Sequence, residues 1–157
     1  MKGQIMSDQD LLQLYSTRIL ALASSIPRTG HLDDPHGAAR KRAPLCGSTV
    51  SVEVRLEDGR ISDFAQDVRA CALGQAAASV VGSAVVGLRP EEVRQGRQAL
   101  WSMLREGAAS PDGPWADLIV LLPARDHPNR HGSILLALDA TIEALDQAEA
   151  RKKTAAP

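Results

Sequence analysis

The segment 68–88, VRACALGQAAASVVGSAVVGL, constrains the fold of this chain more than any other stretch. It carries no charge after Arg69 and consists almost wholly of Ala, Gly, Ser and Val. Small residues near helical spacing, such as Gly74 and Gly82, allow a second backbone to approach closely. The segment lacks the Leu, Ile and Phe content of a membrane span and contains Gln75, so it predicts a buried central helix rather than a transmembrane one.

Length and composition are those of one domain with a sizeable core, since the chain has 157 residues and 44% of them are hydrophobic. We therefore expect a single domain over 1–157, with 1–6 and 150–157 disordered. The net charge of -1 gives no general attraction to nucleic acid, and the aromatic content of 3% leaves few faces for base stacking. Only two cysteines and an N-terminus without an apolar core predict a cytoplasmic protein with no membrane anchor.

Helical periodicity recurs in several other parts of the chain. Apolar residues at helical spacing in 7–25, after Pro90 and from Asn129 onward each predict an amphipathic helix. A short helix is expected over 115–122. The segment 26–44 is rich in Pro, Gly and His, and we interpret it as a long surface loop.

A β-hairpin is predicted between that loop and the central helix. The first strand alternates, with one face formed by the apolar residues Val50, Val52, Val54 and Leu56. The turn 57–60 contains Asp-Gly, which supplies the positive φ angles of a tight turn, and 61–68 is the return strand. The outer ends of a hairpin meet, so Cys46 before the first strand and Cys71 after the second should lie at the same edge of the sheet.

Candidate chemistry is confined to the two cysteines and one histidine. The sequence has no phosphate-binding glycine loop, nucleophile elbow, His-Glu-x-x-His or Cys-x-x-Cys motif. Residue types alone leave several possibilities for Cys46, Cys71 and His131. In the first, the two thiols are unreactive and the imidazole caps a helix. In the second, the three residues are metal ligands. In the third, a thiol is a nucleophile and the histidine is its base.

Three sequence blocks resemble the signature blocks of the NifU-like (IscU/SufU-type) iron–sulfur cluster scaffolds. They are LCGSTVSVEVRLEDGRISDF, ACALGQAAAS and RHGSILLALDATIEAL, at 45–64, 70–79 and 130–145. The resemblance covers nearly the whole chain, from about Leu12 to Leu145. It implies an α+β fold of the SufE/NifU-like kind, in which a small antiparallel three-stranded sheet packs against a layer of about five helices.

The resemblance also implies which residues form the site. Cys46 and Cys71 match the first and second cysteines of the family, and His131 matches the histidine before the third. Ser48 stands where the family has an Asp, and Gly132 stands where it has the third Cys. A tetrahedral zinc, or each iron of a binuclear cluster, needs four ligands, and one chain offers two thiolates and one imidazole.

The implied function is a divergent iron–sulfur cluster assembly scaffold or carrier, which is not an enzyme. It would bind iron, a cluster or a single metal such as zinc through Cys46 and Cys71, with His131 as a further ligand. A [2Fe–2S] cluster shared by the two protomers of a homodimer would supply four thiolates. The expected partners are a cysteine desulfurase or other cluster-biogenesis proteins. Two alternatives remain, a regulatory partner-binding module that holds no metal and a thiol sulfur-transfer protein.

Overall fold

The computed structural model describes residues 15–155. Within this part of the chain, four α-helices and three strands are joined by two segments of 3-10 turns. In chain order the elements are α1 (Thr17–Ser24), β1 (Gly37–Arg42), β2 (Thr49–Glu57), β3 (Arg60–Arg69), α2 (Ala72–Ala84), α3 (Pro90–Arg105), 3-10 turns over Gly113–Asp126 and Pro128–Arg130, and α4 (His131–Ala155).

The sheet has the order β1-β2-β3, and both strand pairs are antiparallel. The apolar face of β2 is buried, as its alternating sequence predicts. Glu57 pairs with Arg60 across a two-residue turn, in which Asp58 and Gly59 have φ values of 54° and 76°. At the other end of the hairpin, Thr49 pairs with Arg69, which confirms the predicted hairpin and the meeting of its outer ends.

Helix α4 organises the core, because one of its faces covers β1 and β2 while α2 and α3 pack elsewhere along it. The predicted central helix is α2, and nine of its 13 residues are buried. Helix α1 and the first 3-10 segment pack on α2 from outside. The result is the expected α+β architecture, a three-stranded antiparallel sheet against a layer of helices. Within residues 15–155, no helix combines the length and apolar character needed to span a membrane.

The interpretation of 26–44 as a loop was wrong in its second half, because residues 37–42 form strand β1. This strand carries Arg40, Lys41 and Arg42 and pairs with β2 on one side only. Charged residues are typical of an edge strand, where they discourage pairing with other chains. Because this strand ends in three basic residues, it lacks the alternating apolar pattern by which a strand is predicted.

Several helix boundaries also differ from the prediction. The predicted helix over 7–25 lies partly outside the described residues, and its described part begins at Thr17, where the Ser16 hydroxyl accepts a hydrogen bond from the Ile19 N–H at 3.3 Å. Residues 115–122 lie within 3-10 turns rather than an α-helix. The last helix begins at His131 and ends at Ala155, so residues 150–155 are helical where we expected disorder.

Candidate functional site

Both cysteines line one pocket at the edge of the sheet, as the hairpin geometry predicts. Cys46 lies three residues before β2 and is exposed, whereas Cys71 lies two residues after β3 and is half-buried. The pocket has a volume of about 260 Å³. Its other lining residues are Leu45, Asn129, Arg130 and Ser133. Two free thiols that are distant in sequence therefore open into one space.

Two buried hydroxyl groups connect the thiols. The Ser48 Oγ lies 3.0 Å from the Cys46 Sγ, and the Ser133 Oγ lies 3.3 Å from the Cys71 Sγ. The Ser133 hydroxyl donates a hydrogen bond to the Ser48 hydroxyl at 3.1 Å. The order Cys46, Ser48, Ser133, Cys71 is thus a continuous chain of hydrogen-bonded side chains. We call these four residues the thiol–hydroxyl chain.

The environment of Cys46 favours its anionic form. Partial burial raises the pKa of the Cys46 thiol, but hydrogen bonding led by the side chain and backbone of Ser48 lowers it by more. The pKa of Cys46 is therefore below its ordinary value. The thiolate is the form of cysteine that binds metal ions and acts as a nucleophile.

Cys71 is the N-cap residue of α2. Its backbone is extended, with φ of -67° and ψ of 169°, and its carbonyl accepts the first helical hydrogen bond from the Gln75 N–H at 2.8 Å. The Cys71 side chain makes no capping hydrogen bond to the helix backbone. The sulfur is thus left to face the Ser133 hydroxyl and the pocket.

His131 is the first residue of α4, but its imidazole is buried and does not line the thiol pocket. The ring donates a hydrogen bond from Nε2 to the Ala124 carbonyl oxygen at 2.8 Å, so the proton resides on Nε2. The other ring nitrogen, Nδ1, is buried without a hydrogen-bond partner. Burial is the main cause that lowers the pKa of His131, which keeps the ring neutral.

Gly132 occupies an exposed position next to the pocket-lining residue Ser133. A β-carbon built on Gly132 would meet no atom within 4 Å. The position matched to the third family cysteine is therefore open to a side chain, although no donor is present there. Ser48, at the position matched to the family Asp, is buried and belongs to the thiol–hydroxyl chain.

Among the described residues, the thiol–hydroxyl chain offers two thiols and two hydroxyls as donors. Among residues 15–155, no three His, Cys, Asp or Glu side chains lie close enough together to hold a metal ion. The structure thus brings Cys46 and Cys71 into one pocket and leaves His131 out of it. Serine hydroxyls remain protonated near neutral pH and are poor ligands, so the pocket by itself supplies two of the four positions of a tetrahedral site.

A three-stranded sheet packed against helices, with two thiols at the sheet edge, is typical of one class of protein. The chain belongs to that class, the NifU-like N terminal domain family. The family model matches residues 14–104, which is more than half of the chain and includes both cysteines. The match ends at the last turn of α3, before His131 and Gly132.

Two relatives and one protein of similar fold are compared with this chain. The crystal structure of a nitrogen-fixing NifU-like protein (N-terminal) from Brucella abortus has a TM-score of 0.87 and 40% identity, covering 90% of this chain and 98% of that one. The iron-sulfur cluster assembly scaffold protein IscU of Thermotoga maritima is 27% identical over 132 residues, 84% of this chain and 92% of that protein. A putative scaffold protein of the SUF system from Fervidobacterium islandicum AW-1 has a TM-score of 0.78 over 85% of this chain and 98% of its own, but its 19% identity supports the fold alone.

Proposed function

We propose that this protein is an iron–sulfur cluster scaffold or carrier that holds its cargo through Cys46 and Cys71. Family membership and the naming of the Thermotoga relative as a cluster assembly scaffold support this general role. The protein would be a binding protein rather than an enzyme. It would work in the cytoplasm with other cluster-biogenesis proteins, among them a sulfur donor such as a cysteine desulfurase.

The observation that carries the proposal is the shared pocket of the two free thiols. Iron–sulfur clusters are held by cysteine thiolates, and a [2Fe–2S] cluster usually takes four. Two chains with two thiols each would complete that set, so we propose a cluster bridged between two protomers. Zinc, which also takes thiolate ligands, is the alternative cargo and would likewise need donors from outside the chain.

The surface around the pocket supports access by a second molecule. Leu45 is 80% exposed at the pocket, and the adjacent Cys46 is also exposed. An exposed leucine next to a metal-binding thiol gives a partner an apolar contact close to the sulfur. The same surface would be covered in a cluster-bridged dimer.

The proposal is tested by anaerobic reconstitution of the full chain with ferrous iron and sulfide. We expect visible sulfur-to-iron charge-transfer bands, about one iron and one sulfide per chain, and a dimer by native mass spectrometry. Cys46→Ser and Cys71→Ser should each abolish the bands, because either change halves the thiolate set of the dimer. Thr141→Val, on the same helix as Ser133 but outside the pocket, is the matched control that should leave them unchanged.

A second candidate function is favoured because residues 15–155 place no third His, Cys, Asp or Glu ligand beside the two thiols. If the folded protein forms no chromophore and binds no zinc, the proposed cargo role is wrong. The chain would then act as a regulatory module that docks on the cluster-biogenesis machinery without metal. A pull-down that recovers a cysteine desulfurase with both the original protein and Cys46→Ser would support that function.

A further inference from the structure

Ser133 occupies the centre of the site, although it was not among the predicted site residues. Its side chain is 2% exposed and lies in the first turn of α4, next to the open position at Gly132. Its hydroxyl reaches both halves of the site, with Ser48 at 3.1 Å and the Cys71 sulfur at 3.3 Å.

The hydrogen atoms available to the thiol–hydroxyl chain define its direction. Ser133 donates its hydroxyl hydrogen to Ser48, so its oxygen accepts from Cys71 while that thiol is protonated, and the hydroxyl hydrogen can turn to the sulfur once Cys71 is a thiolate. Ser48 accepts from Ser133 and keeps its own hydrogen for the Cys46 sulfur. Each hydroxyl is therefore used as both donor and acceptor, which fixes its orientation and that of the sulfur beside it.

Steric complementarity holds Ser133 in this position. A β-carbon on Gly74 of α2 would lie 2.6 Å from the Ser133 Oγ and 3.1 Å from the Ser133 carbonyl oxygen. The absence of a side chain at Gly74 therefore allows the start of α4 to approach the start of α2. This contact brings the Ser133 hydroxyl to the sulfur of the residue that caps α2.

We propose that Ser133 is a positioning residue, which holds the sulfurs of Cys71 directly and of Cys46 through Ser48 in one orientation towards the pocket. The expected effect of Ser133 on metal affinity rests on the proposed scaffold function, whereas its effect on the orientation of the thiols does not. Groups that orient metal ligands from behind change metal affinity by about 10- to 100-fold when they are removed. We expect an effect of that size here.

The first test compares Ser133→Ala with Thr141→Val in the apoprotein. Both substitutions remove a buried hydroxyl from α4, but the Thr141 hydroxyl bonds only to the Ala137 carbonyl of its own helix. Scalar couplings measured by NMR report the χ1 rotamers of the two cysteines. We expect Cys71 to populate one rotamer in the original protein and in Thr141→Val, and to average over several in Ser133→Ala.

The second test uses cobalt(II) as a probe of thiolate binding. We expect Ser133→Ala to lower cobalt affinity by about 10- to 100-fold and to weaken the sulfur-to-cobalt charge-transfer bands, while Thr141→Val leaves both unchanged. If Ser133→Ala does not fold, Ser48→Ala removes the other hydroxyl of the thiol–hydroxyl chain. It should release Cys46 and leave the Cys71–Ser133 contact in place.

The outcomes separate this inference from the proposed function. If Cys71 keeps a single rotamer in Ser133→Ala, the positioning role is overturned, whatever the protein binds. Cobalt affinity equal to that of Thr141→Val would overturn its consequence for cargo. Failure of the original protein to bind iron, sulfide or cobalt would overturn the scaffold function instead, and the rotamer measurement would still decide the role of Ser133.

Discussion

Gly74 of α2 lies directly against Ser133 of α4, so that a β-carbon on Gly74 would come 2.6 Å from the Ser133 hydroxyl oxygen. Such a β-carbon would also lie 2.9 Å from the Cβ of Ala70. The start of α4 and the link that precedes α2 thus close around a position with no side chain. The helix pair that carries the site depends on this glycine for its spacing, because backbone and a buried side chain have little freedom to retreat.

We predict that Gly74→Ala lowers the free energy of unfolding by about 1–3 kcal/mol, which is typical of overpacking. Urea denaturation measures the loss. Gly132→Ala is the control, since its new methyl group meets no atom within 4 Å. Adding Ser133→Ala should relieve part of the clash and give a coupling energy of about 0.5 kcal/mol or more between the two sites. Equal stability of Gly74→Ala and Gly132→Ala would contradict the tight contact.

Gly132→Cys should add a third thiol at the start of α4 without disturbing the packing. We predict more iron bound per chain after reconstitution and a cluster that survives longer in the presence of a chelator, because each added thiolate raises the number of ligands. Gly132→Ser is the matched control, similar in size but without a thiol. If both variants release iron at the rate of the original protein, position 132 does not face the cargo.

Cys71→Ser should separate binding from stability. Serine is a preferred N-cap residue, whereas the Cys71 side chain makes no capping bond, so the gain of a cap offsets the loss of the partly buried sulfur. We predict a change of less than about 1 kcal/mol in unfolding free energy together with the loss of cluster binding. Thermal denaturation and absorption spectra measure the two properties. Unfolding of the variant would indicate that Cys71 is structural.

His131 should make the protein less stable in mild acid. Burial is the main cause that lowers its pKa from 6.5, and the charge of Arg105 contributes, although the hydrogen bond to Ala124 opposes them. The folded state therefore binds this proton less readily than the unfolded chain does. Stability is complete above about pH 6.5 and falls as the pH drops below it, by at most about 1.4 kcal/mol per pH unit for one proton.

An NMR titration of the His131 ring protons, with urea denaturation between pH 7.5 and 5, measures this effect. His36 also has a lowered pKa, mainly through burial, so its ring must be titrated in the same experiment. His131→Gln keeps an N–H donor for Ala124 and should flatten the pH dependence that His131 contributes. A midpoint for His131 at or above 6.5 would contradict the prediction.

The hairpin could be predicted because β2 alternates strictly and Asp58-Gly59 marks its turn. From that hairpin, the meeting of Cys46 and Cys71 followed by geometry alone. Strand β1 could not be predicted in this way. Its charged residues lie at the edge of the sheet, and its contact with α4 comes from far along the chain.

Ser133 shows why the rest of the site could not be predicted from sequence. A serine before an apolar run is typical of a helix start, and nothing local distinguishes it from a surface residue. Its partner Ser48 is 85 residues away in the chain. Its other contact, with Cys71, depends on the close approach of two helices at Gly74. Small residues at helical spacing indicate such an approach but do not identify the partner helix.

The empty space beside Gly132 has an evolutionary consequence. Because a β-carbon there would meet no atom within 4 Å and the position is exposed, we expect that a thiol can be gained or lost at this position without a compensating change in the core. The number of thiolate ligands can therefore change during evolution while the rest of the fold is still selected for stability. Gly74 is the opposite case, since its neighbours leave no room for another residue, and substitution there is constrained by packing before chemistry is affected.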